Sequence, residues 1–173
     1  MAAGNTYTPI ATANGTGSSA TISFTSIPST YTDLVIAGSY SGTGGAGFDV
    51  TLNNVTTNSS YSLTRITFTG SAASSFRSTS QNAFALNYNG SIASTPDYST
   101  VLINLFNYAN TTTYKTMLVK YGNTGTDLGP IVGLWRGSTG SATEGINRVD
   151  LKAAGGANWT TGTTFTIYGI AAA

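Results

Sequence analysis

Apolar residues recur along this chain in short alternating runs about 10–15 residues apart, separated by Gly, Ser, Asn and Thr, which is the pattern of a sandwich or barrel. The first run is Thr21-Ile22-Ser23-Phe24, in which Ile22 and Phe24 share one face. Ile27-Pro28-Ser29-Thr30 then turns the chain, because proline fixes φ and cannot donate to a ladder. Residues 33–38 are almost continuously apolar and predict a central strand. A glycine-rich loop over residues 39–47 leads into Phe48-Asp49-Val50-Thr51-Leu52-Asn53, the cleanest alternation in the sequence. Residues 61–68 alternate with a change of phase: Tyr61 and Leu63 share one parity, Ile66 and Phe68 the other. A bulge between the pairs, or a strand that switches sheets, is expected to bring both to one face. Further strands are predicted over residues 83–88, 101–106, 114–121, 130–136, 146–152 and 164–170, with 101–106, the most apolar, in the core. No window keeps apolar residues at i, i+3, i+4 and i+7 unbroken, so no helix is predicted beyond one short turn at residues 108–113. About ten strands in one stretch predict an all-β fold, an antiparallel β-sandwich of jelly-roll-like form. The expected organisation is a single domain over residues 20–173, preceded by a polar N-terminal arm over residues 1–19.

Composition strengthens this reading. Charged residues make up only 8% of the 173, yet apolar residues reach 40% and aromatics 11%, which a disordered chain lacks. The polarity comes from Thr, Ser, Asn and Gly, which favour pleated surfaces and tight turns over helices. Net charge is +1, and the four Arg and three Lys are scattered. No nucleic-acid partner is expected, since phosphate recognition needs a basic footprint. Cysteine is absent, so neither disulfides nor thiolate metal sites are available to hold the fold. Met1-Ala2-Ala3-Gly4-Asn5 has neither a basic nor an apolar stretch, so no secretory signal is expected. No apolar run approaches the roughly 20 residues that span a bilayer, and no membrane partner is expected.

Histidine is absent as well, which removes Ser-His and Cys-His nucleophile pairs and imidazole metal ligands. Lysine-based nucleophile activation is left, but no pattern points to it. The candidate general acids and bases are Asp33, Asp49, Asp97, Asp127, Glu144 and Asp150. Asp33 and Asp49 lie near strand starts, Asp97 follows Pro96 in a turn, and Asp127 sits in Asn123-Thr124-Gly125-Thr126-Asp127. Asp in such places ordinarily caps or turns the chain. A glycosidase needs two carboxylates facing each other across a sugar, which is not expected among these. Asp127 with Asn123 is too thin for a calcium loop. Gly42-Thr43-Gly44-Gly45-Ala46-Gly47 has the glycines of a phosphate cradle without its Lys or following helix, and reads as a flexible surface loop. Asn54-Val55-Thr56 would matter as a glycosylation triplet only in a secreted chain. Trp135 and Trp159 are expected to plug the ends of the core, with contact to a subunit or a glycan as the alternative. The expectation is therefore no catalytic, cofactor-binding or metal residue, no cofactor and no enzyme.

Three stretches carry a resemblance. Ile27-Pro28-Ser29-Thr30-Tyr31-Thr32-Asp33-Leu34 is similar to an "IP-x-x-Y-T-D-L" strand start. Residues 103–116, from Ile103-Asn104-Leu105-Phe106 through Tyr114-Lys115-Thr116, resemble a hairpin ending in "K-Y-K-T". Gly133-Leu134-Trp135-Arg136, residues 146–151 and Phe165-Thr166-Ile167-Tyr168-Gly169-Ile170 resemble a "G-x-W … I-x-x-I-x-L … F-x-L-Y-G-I" ending. Together they resemble a recurrent β-domain of tailed-bacteriophage virion proteins, found in capsid decoration (cement) proteins, head fibres and tail fibres. Two positions depart from it: the "N-G-D" turn reads Leu52-Asn53-Asn54-Val55, and the hairpin Asp is Asn107.

The resemblance implies a non-enzymatic virion structural protein, assembled in the host cytoplasm and displayed on the outer surface of the particle. It implies the major capsid protein and further copies of the chain, as a homotrimer, as partners. No coiled-coil or β-helix stalk precedes the domain, so a decoration or cement protein is expected ahead of a tail or fibre component that binds host-surface glycan. The arm over residues 1–19 is expected to order on the capsid or on a neighbouring copy. Edge strands poor in Lys and Pro are expected to pair between subunits.

Overall fold

The computed structural model describes residues 6–44, 47–68, 70–86, 92–122 and 128–171. Among these residues there is no helix. The strands, in chain order, are β1 (Tyr7–Asn14), β2 (Thr21–Phe24), β3 (Asp33–Tyr40), β4 (Phe48–Leu52), β5 (Tyr61–Phe68) and β6 (Ala73–Gln81). They continue as β7 (Phe84–Ala85), β8 (Ser99–Phe106), β9 (Lys115–Gly122), β10 (Leu128–Trp135), β11 (Val149–Ala153) and β12 (Thr164–Ile170). All pairings between these strands are antiparallel, in an eight-stranded sheet ordered β1-β12-β3-β8-β9-β10-β5-β6 and a four-stranded sheet ordered β2-β11-β4-β7. Setting aside the β9–β10 hairpin and the outer pair β1 and β12, the remaining orders are β3-β8-β5-β6 and β2-β11-β4-β7. Those are the strand orders of a two-sheet jelly roll.

The inner faces meet in one core. Leu34 and Ile36 of β3, Ile103 and Leu105 of β8, Val119 of β9 and Ile131 of β10 face Val50 and Leu52 of β4 and Leu151 of β11, and all are buried. At one end, Tyr40, Phe48, Trp159 and Phe165 pack together, mostly edge to face, with centroid separations from 5.0 Å for Tyr40–Phe48 to 5.9 Å for the stacked pair Tyr40–Phe165. The Trp159 indole N–H donates to the Leu151 carbonyl at 3.0 Å. Toward the other end, Tyr61 meets Phe84 edge-on at 4.8 Å, and Trp135 is buried. Both tryptophans thus belong to the core, and neither offers a ring to a glycan. Gly133 of β10 lets the Phe84 ring of β7 reach the opposite sheet: a Cβ there would stand 2.5 Å from the ring.

The structure corrects several expectations. The stretch expected as a polar arm is not free, because residues 7–14 form β1 and pair with β12 along its length. Pro9 is tolerated because β1 is an edge strand, and the register shifts between Pro9 and Ala11. The chain also has β6, Ala-Ser-Ser-Phe-Arg-Ser-Thr-Ser-Gln, whose one large apolar residue is Phe76. An exposed edge strand needs no alternating pattern, so none marks it. The expected bulge between Leu63 and Ile66 is not formed. The irregularity falls instead on the partner, where Tyr61 pairs with Gln81 and Leu63 with Ser78 around Ser80 at φ 55°. Ile66 and Phe68 consequently point outward, each 42% exposed. Residues 101–106 are only half core, since Leu102 and Phe106 point out.

Some local readings need smaller changes. Gly42 is buried beneath residues 158–163, with bridges to Trp159 and Ser94, so the glycine-rich loop starts packed; Gly45 and Ala46 lie outside the described residues. Leu52-Asn53-Asn54-Val55 is a tight turn with Asn53 and Asn54 at φ 52° and 58° and a Val55 N–H to Leu52 carbonyl bond of 3.0 Å. Two successive positive φ angles are the type I′ geometry that Asn accepts in place of Gly. Residues 108–113 form a turn built on Asn110, whose Oδ1 accepts from the Thr112 and Thr113 amides at 2.6 and 3.0 Å.

Candidate functional site

Alternation along β2, β4 and β11 determines the outer face of the four-stranded sheet. Ile22, Phe24, Val50, Leu52, Val149 and Leu151 turn inward, which leaves Thr21, Ser23, Asp49, Thr51, Asp150 and Lys152 on the outside. The register sets them in two rows. Asp150 lies between Ser23 and Thr51, and Lys152 lies between Thr21 and Asp49. Asn54 and Thr56, after β4, and Asn82, before β7, complete a groove of about 480 Å³ over this face.

Arg148, just ahead of β11, anchors the first row. Its guanidinium reaches Asp150 with Nε 2.9 Å from both carboxylate oxygens and Nη2 2.8 Å from Oδ1. Ser23 Oγ donates to the same carboxylate at 2.5 Å. Asp150 is 4% exposed, and these donors are what allow a charge to stay there. The hydrogen bond and charge of Asp150 raise the Arg148 pKa further. The Asn53 side chain positions the segment: its Oδ1 accepts from the Asn147 and Arg148 amides at 2.9 and 3.2 Å, and its Nδ2 donates to the Gly145 carbonyl at 2.8 Å.

The second row is different. Burial raises the Asp49 carboxyl pKa above its ordinary value, and the Lys152 ammonium across the strands lowers it only in part. Among the described residues, no group donates a hydrogen bond to the Asp49 carboxylate. The groove therefore holds two carboxylates and two cations in alternation, which suits a neutral ligand rich in hydrogen-bonding groups. Among the described residues, no group of three or more His, Cys, Asp or Glu gathers where a metal could bind.

The remaining candidate acids are apart from this groove. Asp33 accepts from the Asn107 amide at 2.6 Å and holds the chain after β8. Asp97 lies in a turn closed by its own N–H to the Ser94 carbonyl at 2.9 Å. Glu144 accepts from the Ser138 amide and hydroxyl. Asp127 and Asn123 lie outside the described residues. Lys115 is buried at the start of β9; desolvation lowers its pKa, and its Nζ donates to the Thr113 carbonyl at 2.5 Å. The structure thus brings together Asp49 and Asp150, which the sequence places about a hundred residues apart. Their outward parity was legible in each strand; the pairing of β4 with β11 was not.

The outer face of the eight-stranded sheet has the opposite character. From β8 across β9 and β10 to β5, the outward residues include Leu102, Phe106, Leu118, Leu128, Val132, Leu134, Ile66 and Phe68, with Thr and Ser between them. Lys120 is the one charged side chain among these described outward positions. Val132 is 56% exposed and lies across from Leu118 on one side and Thr64 on the other; Leu128 is 55% exposed and lies across from Phe68. Sequence reasoning put the 101–106 run inside and missed this surface, although alternate apolar residues on both parities of β8 and β10 are its signature. In comparisons with known proteins, no protein-family model matches the chain, and no curated protein is significantly similar to it.

Proposed function

We propose that this chain is a non-enzymatic structural component of a bacteriophage particle, a capsid decoration (head cement) protein that binds the major capsid protein and stabilises the assembled shell. The observation that carries the reading is the outer face of the eight-stranded sheet. Single exposed apolar residues are ordinary, but several large apolar side chains gathered on one sheet face favour a surface used for association. The occupants assigned to it are neighbouring copies of the chain in a homotrimer. Interface cores are depleted in charge and enriched in apolar side chains, as this face is. The edge strand β6 supports the same reading, since it lies at the border of the eight-stranded sheet and is exposed along most of its length. The motif resemblance supplies the viral setting.

Copy number is the deciding measurement. The reading expects a ratio to the major capsid protein near one to one in purified particles, by quantitative mass spectrometry, and shells that rupture at lower temperature without the chain. A few copies per particle, located at the tail, would overturn it in favour of a tail or fibre component. Sedimentation velocity of the purified chain should give a trimer, and Val132→Asp with Leu102→Asp should give a folded monomer.

A further inference from the structure

We propose that the groove over the four-stranded sheet is a binding site for a neutral carbohydrate, with Asp49 and Lys152 engaging adjacent ring hydroxyls. The inference stands apart from the particle reading, since it concerns the face opposite the one assigned to subunit contacts.

Three observations carry it. First, the volume of about 480 Å³ suits one or two sugar rings and falls within the ordinary range of small-ligand sites. Second, the lining presents donors and acceptors side by side. A hydroxyl both donates and accepts, so it can donate a hydrogen bond to the Asp49 carboxylate while accepting one from the Lys152 ammonium. Thr51 and Thr21 extend the pattern at the neighbouring positions of the same two rows. Third, the two rows differ in how far they are already satisfied. Asp150 is saturated by Arg148 and Ser23 and forms a fixed wall, whereas Asp49 is partly desolvated and accepts no hydrogen bond from a described residue. A carboxylate held this way is stabilised by a ligand that brings a donor.

The charge pattern selects the ligand class. An anion would be repelled by Asp49 and Asp150, and a divalent cation by Arg148 and Lys152, while a polyol meets both signs favourably. Among the described residues no aromatic side chain lines the groove, so recognition rests on hydrogen bonds rather than ring stacking.

The test is a titration of the full isotopically labelled chain, followed by amide chemical shifts. The probes are the methyl glycosides of glucose, galactose, mannose, rhamnose and N-acetylglucosamine, each run beside calcium chloride and sodium phosphate. The expected result is saturable shifts confined to the amides of residues 49–51 and 148–152 with at least one glycoside. Asp49→Ala and, separately, Lys152→Ala should each weaken that binding about tenfold, which is about 1.4 kcal/mol. Lys152 is exposed, so its variant retains the fold and keeps the test decisive if Asp49→Ala does not. Three results would each overturn the proposal: no shift in those amides with any glycoside, binding undiminished in a folded Lys152→Ala variant, or calcium or phosphate shifting these amides in place of the sugars.

Discussion

The two outer faces of this sandwich are built by the same alternation and end with opposite chemistry. On the four-stranded sheet, the outward positions of β4 and β11 are Asp49, Thr51, Asp150 and Lys152. On the eight-stranded sheet, the outward positions of β8 and β10 include Leu102, Phe106, Val132 and Leu134. The chain has only seven Lys and Arg and six Asp and Glu, and Asp49, Arg148, Asp150 and Lys152 all line one groove. Four charged side chains cluster in the groove, whereas the eight-stranded face has Lys120 and Arg77 set among apolar residues. A low overall charge therefore says little about either face; its distribution says more.

The contrast can be broken from inside. Phe84 of β7 lies against Gly133 of β10 and packs on Tyr61, tying the two sheets together. Phe84→Ala should lower unfolding free energy by about 3–5 kcal/mol through lost burial and the cavity it leaves. Urea denaturation should show an earlier midpoint with an unchanged slope. A loss under about 1 kcal/mol would mean that the sheets are held together elsewhere.

Removing the wall of the groove is the next largest change. Asp150→Ala strips the acceptor from the Ser23 hydroxyl and leaves Arg148 without its carboxylate. The expected cost is about 1–3 kcal/mol for a buried hydrogen-bonding group lost. Asn53→Ala should mimic part of it, because Asn53 holds the Asn147 and Arg148 amides.

Asp49 sharpens the comparison in the other direction. Its carboxyl is harder to ionise in the folded protein than in the unfolded chain, because burial outweighs Lys152. The folded state then binds more protons, so this group's contribution is fully present below the ordinary value of 3.8 and is lost as pH rises through the raised folded value. Asp49→Asn should accordingly be more stable than the wild type at pH 7, with the gap narrowing as pH falls through the raised folded value and closing below the ordinary value of 3.8. Denaturant titrations of both proteins across that range check the sign; a variant less stable at pH 7 would show Asp49 to be structurally required.

The smallest effect on folding belongs to the apolar face. Val132→Ser and Leu128→Ser alter residues more than half exposed in the single chain, so each should shift stability by no more than about 0.5 kcal/mol. Self-association is where they should register, as a lower sedimentation coefficient at the same concentration. Equal sedimentation of variants and wild type would remove this face as the subunit contact.

Much of the fold was legible because burial on one side forces a period of two. Thr21–Phe24, Tyr61–Phe68 and Thr164–Ile170 were bounded correctly from alternation and flanking turn residues alone. The edge strands were not legible, for a physical reason. β6 buries almost nothing, and β1 carries a proline, so neither had to satisfy the pattern that marks an interior strand. The aromatic ends were inferred correctly, since rings as large as those of Trp135 and Trp159 need a core to fill. The candidate groove was half legible: each outward residue could be read off its own strand, but not that β11 lies between β2 and β4.

By itself, the sequence determined that this is an all-β chain without thiol or imidazole chemistry, and which side of most strands is apolar. Those follow from composition and from local sterics, which act over a few residues. Tertiary structure alone decided that Asp49 stands across from Lys152, that Arg148 meets Asp150 and Ser23, and that Leu102, Leu118 and Val132 share one exposed face. Register between strands far apart in the chain is set by how the whole core packs, and a shift of one residue would have turned every one of those side chains to the other side.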